Sequence, residues 1–472
     1  MTTRTRRLRW SWLLAAAIAL LAFLFVALLL VTRLGSNAAD PRPVGSIDDI
    51  AGLAERDDVN VLFILIDTLR ADRLSAYGYE RETTPNLARL ASKGILFKRQ
   101  LSQSSWTKCS MASLWTGTYP ARTGVTRFDD VLPEVADMPA EALKAAGFET
   151  AGLFRNGWVS PNFGFAQGFD VYTRPAPRPL PANLRRENPT ATTVGADDDV
   201  ITTAIEYLRV NGKSRWFLYL HLMDVHEYTY DVESALFGAT YSDIYDNAIR
   251  RVDGLLEVLF QYLEDSGLAD KTIIVIASDH GEAFRERGIE GHARRVFKET
   301  TEVPFIVSLP FQLDPGVVVT TRTRNVDIWP TIIDLLGLPS SEGLDGRSRV
   351  PDVLASARGE TPGELETQGI AHLDMTWGQT GKDPIPTVAV ADGPYRYVKV
   401  QENETMHEYL FDASSDPREL ANRAEANPEK LAELRQVGEK YLGEGPKWGD
   451  APTRELSEME LNQLRALGYA LP

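Results

Sequence analysis

NVLFILID, residues 60–67, is an unbroken apolar run that ends in a carboxylate. A strand with one face in water alternates polar and apolar side chains. A run without alternation therefore reads as a strand buried on both faces, as in a sheet covered by helices on each side. Three more runs share the texture: WFLYLHLM at 216–223, TIIVIAS at 272–278 and VPFIVSL at 303–309. Helical patterns fall between them. One begins at Thr84-Pro85, with threonine as N-cap and proline in the first turn, and stops before Gly94. Others cover about 198–210 and about 241–265. Strands alternating with helices predict an α/β fold on a mainly parallel sheet, where ligand sites gather beyond the carboxyl ends of the strands. Asp67 and Asp279 stand at two such ends.

Outward from this core, 472 residues exceed what one hydrophobic core organises. Residues 59–340 read as the catalytic-sized α/β domain. From about 341 the chain turns to Gly/Pro/Ser-rich loops, then a short alternating strand, YRYVKV at 395–400, and polar helices near 428–442 and 456–467. Residues 341–472 are therefore expected to form a small C-terminal α+β subdomain. At the other end, residues 10–32 carry no charge, and as a helix they would reach roughly 34 Å, enough to cross a bilayer core. Arg4, Arg6, Arg7 and Arg9 precede this run and Arg33 follows it, with no acidic residue in 1–33. The positive-inside rule then makes residues 1–33 a cytoplasmic N-terminus and transmembrane anchor, 34–58 a linker, and the main domain extracytoplasmic on a single-pass chain. A cleaved signal peptide ending near Ser36 and Ala38 is the alternative, but the apolar stretch exceeds the usual ~7–15 residues. The net charge of −16 excludes nucleic acid as the expected partner. The single cysteine, Cys109, permits neither an intrachain disulfide nor a cysteine-based zinc cluster.

Four of the six histidines fall in two short segments that follow apolar strands: His221 and His226 in HLMDVHEY, His280 and His292 in SDHGEAFRERGIEGHA. Asp279-His280 brings an oxygen and an imidazole donor to one sheet edge, a set that suits zinc or manganese. An isolated histidine is more often a hydrogen-bonded structural residue, and His372 and His407 are read that way.

Asp67 within ILIDTLRADRLSAYGY, then TTPNLARLASKG, SWTKCSMASLWTGTYPARTGV, HLMDVHEY, SDHGE and EGHA form an ordered series. It closely resembles the sulfatase-like branch of the alkaline phosphatase superfamily. Residues 146–172, 325–337, 410–422 and 456–469 also look like this family's landmarks. The resemblance implies that family's fold and a nucleophile at a fixed spacing before a Thr-Gly pair. Sulfatases place there a Cys or Ser, oxidised to formylglycine, in a C-x-P-S-R segment. Counting back from Thr116-Gly117 puts Thr107 at that position, Cys109 on the family's proline and Met111 on its arginine. Threonine is a secondary alcohol and cannot become formylglycine. Thr68 also stands where sulfatases carry a second aspartate.

These departures make the chain similar to threonine-using relatives: phosphodiesterases, phosphoethanolamine transferases and lipoteichoic acid synthases. The resemblance implies a metal-dependent hydrolase of phosphate mono- or diesters with a covalent Thr107 intermediate. A divalent cation would be held by Asp67, Thr107, Asp279 and His280, with zinc or manganese favoured and magnesium or calcium possible. His226 and His292 would bind phosphoryl oxygens or protonate the leaving group, and Lys108 and Asn156 would contact substrate. Asp224, His226 and His292 are the alternative for a second metal, while His221, Glu282 and Arg70 support neighbours. Competing readings are a phosphoryl transferase acting on lipid or cell-surface polymer headgroups, a sulfuric ester hydrolase, and a non-catalytic membrane-tethered binding module.

Overall fold

The computed structural model describes residues 40–177, 195–360, 368–379, 381–458 and 460–462. Strand β1 (Asn60–Ile66) is buried along its whole length, as the missing alternation predicts. Its odd-numbered residues, Val61, Phe63 and Leu65, enter one apolar cluster, and Leu62, Ile64 and Ile66 enter another. Each such side chain contributes roughly 1.5–3 kcal/mol by leaving water. Eight strands form the main sheet: β1, β2 (Ile95–Leu101), β3 (Glu149–Phe154), β4 (Val171–Thr173), β5 (Trp216–Leu222), β6 (Thr272–Ala277), then β9 (Glu302–Ser308) and β10 (Val317–Arg324). The short hairpin strands β7 (Ala283–Phe284) and β8 (Glu290–Gly291) stand apart from it. The order across the sheet is β10-β2-β9-β6-β1-β5-β3-β4.

Every described pairing in this sheet is parallel except those of β9, which runs antiparallel to both β2 and β6. The expected parallel role of the 303–309 run is corrected accordingly. A parallel return needs a crossover, usually helical. Residues 278–301 instead form an irregular excursion containing the β7/β8 hairpin and one four-residue helical turn.

Helix α1 is Ile47–Gly52, α2 Pro85–Ser92, α3 Thr107–Thr116, α4 Asp197–Asn211, α5 Tyr241–Asp265 and α6 Ile328–Leu335. One face of the sheet meets α3 and α6 through Leu114, Trp115, Trp329 and Ile332. The other meets α2, α4 and α5 through Leu87, Val200, Ile249 and Leu256.

The expected linker, 34–58, is corrected in part. Ser46 and Asp49 form a reciprocal capping box that starts α1, and Ile50 and Leu53 are buried in the main core. Residues 43–472 are one unit. The C-terminal region forms an antiparallel sheet of β11 (Gly369–Asp374), β12 (Pro386–Asp392), β13 (Tyr395–Glu402) and β14 (Thr405–Asp412). Ala371, Ala389 and Val398 face the main core. Val388, Val390 and Tyr397 are covered by Leu434 and Tyr441 of α7 (Pro428–Leu442). The helix expected at 456–467 is described only in part. Among the described residues no helix is long and apolar enough to cross a membrane, and the span expected at 10–32 lies outside them.

Candidate active site

Four neighbouring parallel strands, β3, β5, β1 and β6, deliver Asn156, His221, Asp67 and Asp279-His280 to one sheet edge. Asp67 Oδ1, Asp279 Oδ2 and His280 Nε2 converge within 4.8 Å of one another. Asp67 Oδ2 accepts from Asn156 Nδ2 at 2.7 Å and from His221 Nε2 at 3.0 Å, whereas Oδ1 has no hydrogen-bond partner. Asp279 Oδ1 accepts the backbone N–H groups of Thr68 at 3.3 Å and His280 at 3.0 Å, and Oδ2 has none. His280 Nδ1 donates to the Gly281 carbonyl at 3.0 Å, which assigns the lone pair to Nε2. That nitrogen lies 3.7 Å from Asp67 Oδ1 and 3.4 Å from Asp279 Oδ2.

Three buried acceptor atoms thus converge, two of them carboxylate oxygens without a hydrogen-bond partner. Such an arrangement is costly without a cation and fits a divalent one. Thr107 Oγ1, 3.2 Å from His280 Nε2, supplies a fourth donor. Burial raises the Asp67 carboxyl, but the His221 hydrogen bond and the charges of His226, His221 and His280 outweigh it and hold the group below its ordinary range. Burial, followed by the charge of Asp67, pushes Asp279 up to about 7.

Thr107 opens α3, so the positive end of a ten-residue helix abuts the site, where an oxyanion is favoured. Ser110 Oγ donates to the Asp279 carbonyl at 2.6 Å and fastens this helix to the end of β6. Cys109 is buried, and burial pushes its thiol up to about 12, which leaves it protonated and unreactive. Met111 lies in the main core. Thr68 adopts φ 61°, and its hydroxyl donates to the Asp67 carbonyl at 2.7 Å.

The two residues expected to contact substrate make contacts of their own. Lys108 Nζ donates to the carbonyls of Phe128 at 2.7 Å and Asp130 at 2.8 Å, inside a cage of Trp106, Trp158 and Phe163. It points away because adjacent residues on a helix do not share a face. Asn156 reaches the centre, but its amide braces Asp67 and, at 3.4 Å, Thr107, while its Oδ1 accepts the Trp158 N–H.

His226 and His292 do meet here. The His292 ring stacks on His280 with centroids 4.5 Å apart and lies 4.9 Å from the ring of His226. Glu282 sits 3.2 Å from His292 Nδ1, and although burial opposes it, this carboxylate raises the imidazole above its ordinary value. Burial lowers His226 to about 4. Asp224 does not join them as a second metal ligand. Its Oδ1 accepts from Arg155 at 2.7 Å and from the Asp197 N–H at 3.1 Å. Among the described residues, Asp67, Asp279 and His280 are the set placed to hold a metal.

His226 and His292 also line a cavity of about 400 Å³ together with Tyr228, Arg294 and Trp377. These three, and Tyr219, which hydrogen-bonds His221 Nδ1 at 2.6 Å, were not singled out from sequence. Arg294, two residues beyond His292, had a positional signal, whereas Trp377 comes from the C-terminal region and had none.

The sulfatase family profile matches residues 59–338, and that of the N-sulphoglucosamine sulphohydrolase C-terminal region matches 291–440. The chain is 24% identical over 413 residues to arylsulfatase K of Xenopus laevis, covering 74% of this chain and 76% of the relative. It is 25% identical over 349 residues to N-acetylgalactosamine-6-sulfatase of Homo sapiens, covering 62% and 66%. Among solved structures, a 2-O GAG sulfatase aligns with TM-score 0.65 at 19% identity over 81% of this chain and 92% of that one. A phosphonate monoester hydrolase of Agrobacterium radiobacter aligns with TM-score 0.62 at 20% identity over 81% and 95%.

Proposed function

Since the chain belongs to the sulfatase family of the alkaline phosphatase-like superfamily and is an ester hydrolase, we propose that Thr107 is its nucleophile and a phosphate mono- or diester its substrate. The observation that carries this reading is an unmodifiable secondary alcohol at the N-terminus of α3, 3.2 Å from His280. Thr107 Oγ, its hydroxyl proton passing to solvent, forms a bond to phosphorus as the bond to the leaving oxygen breaks. The resulting phosphothreonine is then opened by water, which restores the hydroxyl and releases phosphate or a phosphate monoester. Asp67, Asp279, His280 and Thr107 would hold a divalent cation, zinc or manganese by their donor chemistry, and such a cation would supply positive charge beside the reacting oxyanion. Asn156 and His221 hold Asp67 so that only Oδ1 faces the centre. His292, whose imidazole Glu282 raises above its ordinary value, is placed to donate the proton that the leaving oxygen needs.

A second reading, a sulfuric ester, is favoured by the relatives, several of which are named as sulfatases. Formylglycine releases sulfate by collapse of a hydrate, a route closed to Thr107. A sulfated threonine would instead need attack by water at sulfur. Phosphoryl transfer, by contrast, requires mainly positioning and charge stabilisation. Matched 4-nitrophenyl phosphate, phosphodiester and sulfate substrates under one metal condition separate the two. The first reading expects higher kcat/KM for a phosphate ester, and a clear preference for sulfate overturns it. The sequence also supports placing this chemistry outside the cytoplasm on the anchor at residues 10–32. Membrane fractionation and protease protection of the full chain test that placement.

A further inference from the structure

The reacting groups, Thr107, Asp67, Asp279 and His280, are fully buried, so the leaving group must lie on the side where the site opens. The described cavity that reaches these groups is the one lined by His226 and His292, since the His292 ring stacks on His280 with centroids 4.5 Å apart. A neighbouring cavity of about 290 Å³ shares Ala293, Arg294 and Trp377 with it.

Charge at this mouth is unbalanced. Glu282 is engaged by His292 and Tyr228, Glu290 by Arg285, and Arg295 by Glu402. Arg294 is exposed and, among the described residues, makes no hydrogen bond or ion pair. An unmatched guanidinium at the mouth of an acidic protein's active site is a ready partner for an anion.

Beside it, Trp377 is held in a fixed pose. Its indole N–H donates to the Ala293 carbonyl at 3.0 Å, its backbone N–H bonds the Asp374 carbonyl at 3.1 Å, and its own carbonyl accepts from Phe128 at 2.8 Å. The backbone around the mouth is strained. Tyr228, Ala293 and Trp377 have φ of 54°, 54° and 51°, a region that costs non-glycine residues on the order of 1–3 kcal/mol each. Strain of this kind persists where surrounding contacts enforce it, and here it accompanies three residues that line one opening.

We propose that Arg294 and Trp377 form a leaving-group subsite for a ring that carries its own negative charge, Trp377 taking the flat face of the ring and Arg294 the anionic substituent. The proposal rests on the reading above, in which Thr107 attacks and the leaving group faces the mouth. An aromatic acid and an acidic sugar share this chemistry. A charge-assisted hydrogen bond contributes roughly 1.5–3 kcal/mol, or about 10- to 150-fold in affinity, and ring stacking adds a smaller factor.

The test has two parts, both on the metal-loaded full chain. Turnover of a 4-nitrophenyl ester, lost in Thr107→Ala, checks the reaction reading by itself. Calorimetric titration, which needs no turnover, then compares 4-hydroxybenzoate with phenol and glucuronate with glucose, on wild type, Arg294→Ala, Arg294→Glu and Trp377→Ala. The expected result is that at least one acid binds tenfold or more tightly than its neutral counterpart, that Arg294→Ala removes this difference and Arg294→Glu reverses it, and that Trp377→Ala weakens both members of the pair. The ring that shows the effect identifies the source. An acid–neutral ratio near one for both rings, or a ratio unmoved by Arg294→Glu, overturns the subsite even where Thr107 is confirmed. A fall in kcat/KM on Arg294→Ala that is equal for a carboxylated and a plain nitrophenyl ester also overturns it, since Arg294 would then bind the group being transferred.

Discussion

Asp279→Asn should stabilise the metal-free protein while abolishing its response to metal. In the metal-free state Asp279 Oδ2 is buried without a partner, 3.4 Å from the lone-pair nitrogen of His280 and close to the orphaned Oδ1 of Asp67. An asparagine keeps Oδ1 as acceptor for the Thr68 and His280 N–H groups and places an NH2 where the unpartnered oxygen stood. Repulsion thereby becomes a hydrogen bond to His280 or Asp67. Ionising a carboxyl raised from 3.8 to about 7 costs roughly 4 kcal/mol at most. The amide gives up the stronger acceptor of the two backbone bonds, so the net gain is about 1–3 kcal/mol, or roughly 1–3 °C in Tm.

The sign with pH follows from the raised carboxyl. In the folded wild type the penalty is absent below about 3.8 and complete above about 7, so the advantage of the variant grows across that window. With cation at a thousandfold excess over Kd, wild type gains about 4.1 kcal/mol, and the variant, missing one ligand, gains far less, so the order of the two melts inverts. Thermal unfolding at one scan rate, with chelator and then with zinc or manganese, reads both effects. A chelated Asp279→Asn protein that melts below chelated wild type, or a metal-induced rise of equal size in both, would refute the reasoning.

Thr107→Ala should lower turnover at least about a thousandfold, while Cys109→Ala costs only about 1 kcal/mol of packing; an inactive, folded Cys109→Ala protein beside an active Thr107→Ala protein reverses the assignment. His221→Phe removes the donor at 3.0 Å from Asp67 and should weaken metal affinity 10- to 100-fold in competition with a chromogenic chelator. Unchanged affinity would leave His221 without its bracing role. Lys108→Met should lose about 1–3 kcal/mol of stability by stranding the Phe128 and Asp130 carbonyls, with little change in KM. A large rise in KM at unchanged Tm would return Lys108 to the substrate.

What was legible in the sequence is what periodicity controls. The unalternating runs placed β1, β5 and β6 and, with them, Asp67, His221, Asp279 and His280 at one edge, because a strand end fixes where the following residue emerges. Direction was less legible. The run at 302–308 reads the same whether its neighbours are parallel or antiparallel, and only the missing crossover helix in 278–301 decides. Orientation of side chains was least legible, since Asn156 could be placed near the centre but not seen to spend its amide on Asp67.

One correction was nevertheless available beforehand. Once Thr107 opens a helix, Lys108 turns about 100° away from it, and the residue that shares its face one turn on is Met111. The same arithmetic explains why the family's arginine at that spacing can serve the reacting group. It also shows what its replacement does here: beneath Thr107, Met111 and Leu114 pack into the main core while Ser110 bonds the Asp279 carbonyl. With Lys108 committed to backbone carbonyls, α3 brings its helix dipole to the reaction but no charged side chain. Any further positive charge must then come from the metal, from the imidazoles, or from the loop that carries His292 and Arg294.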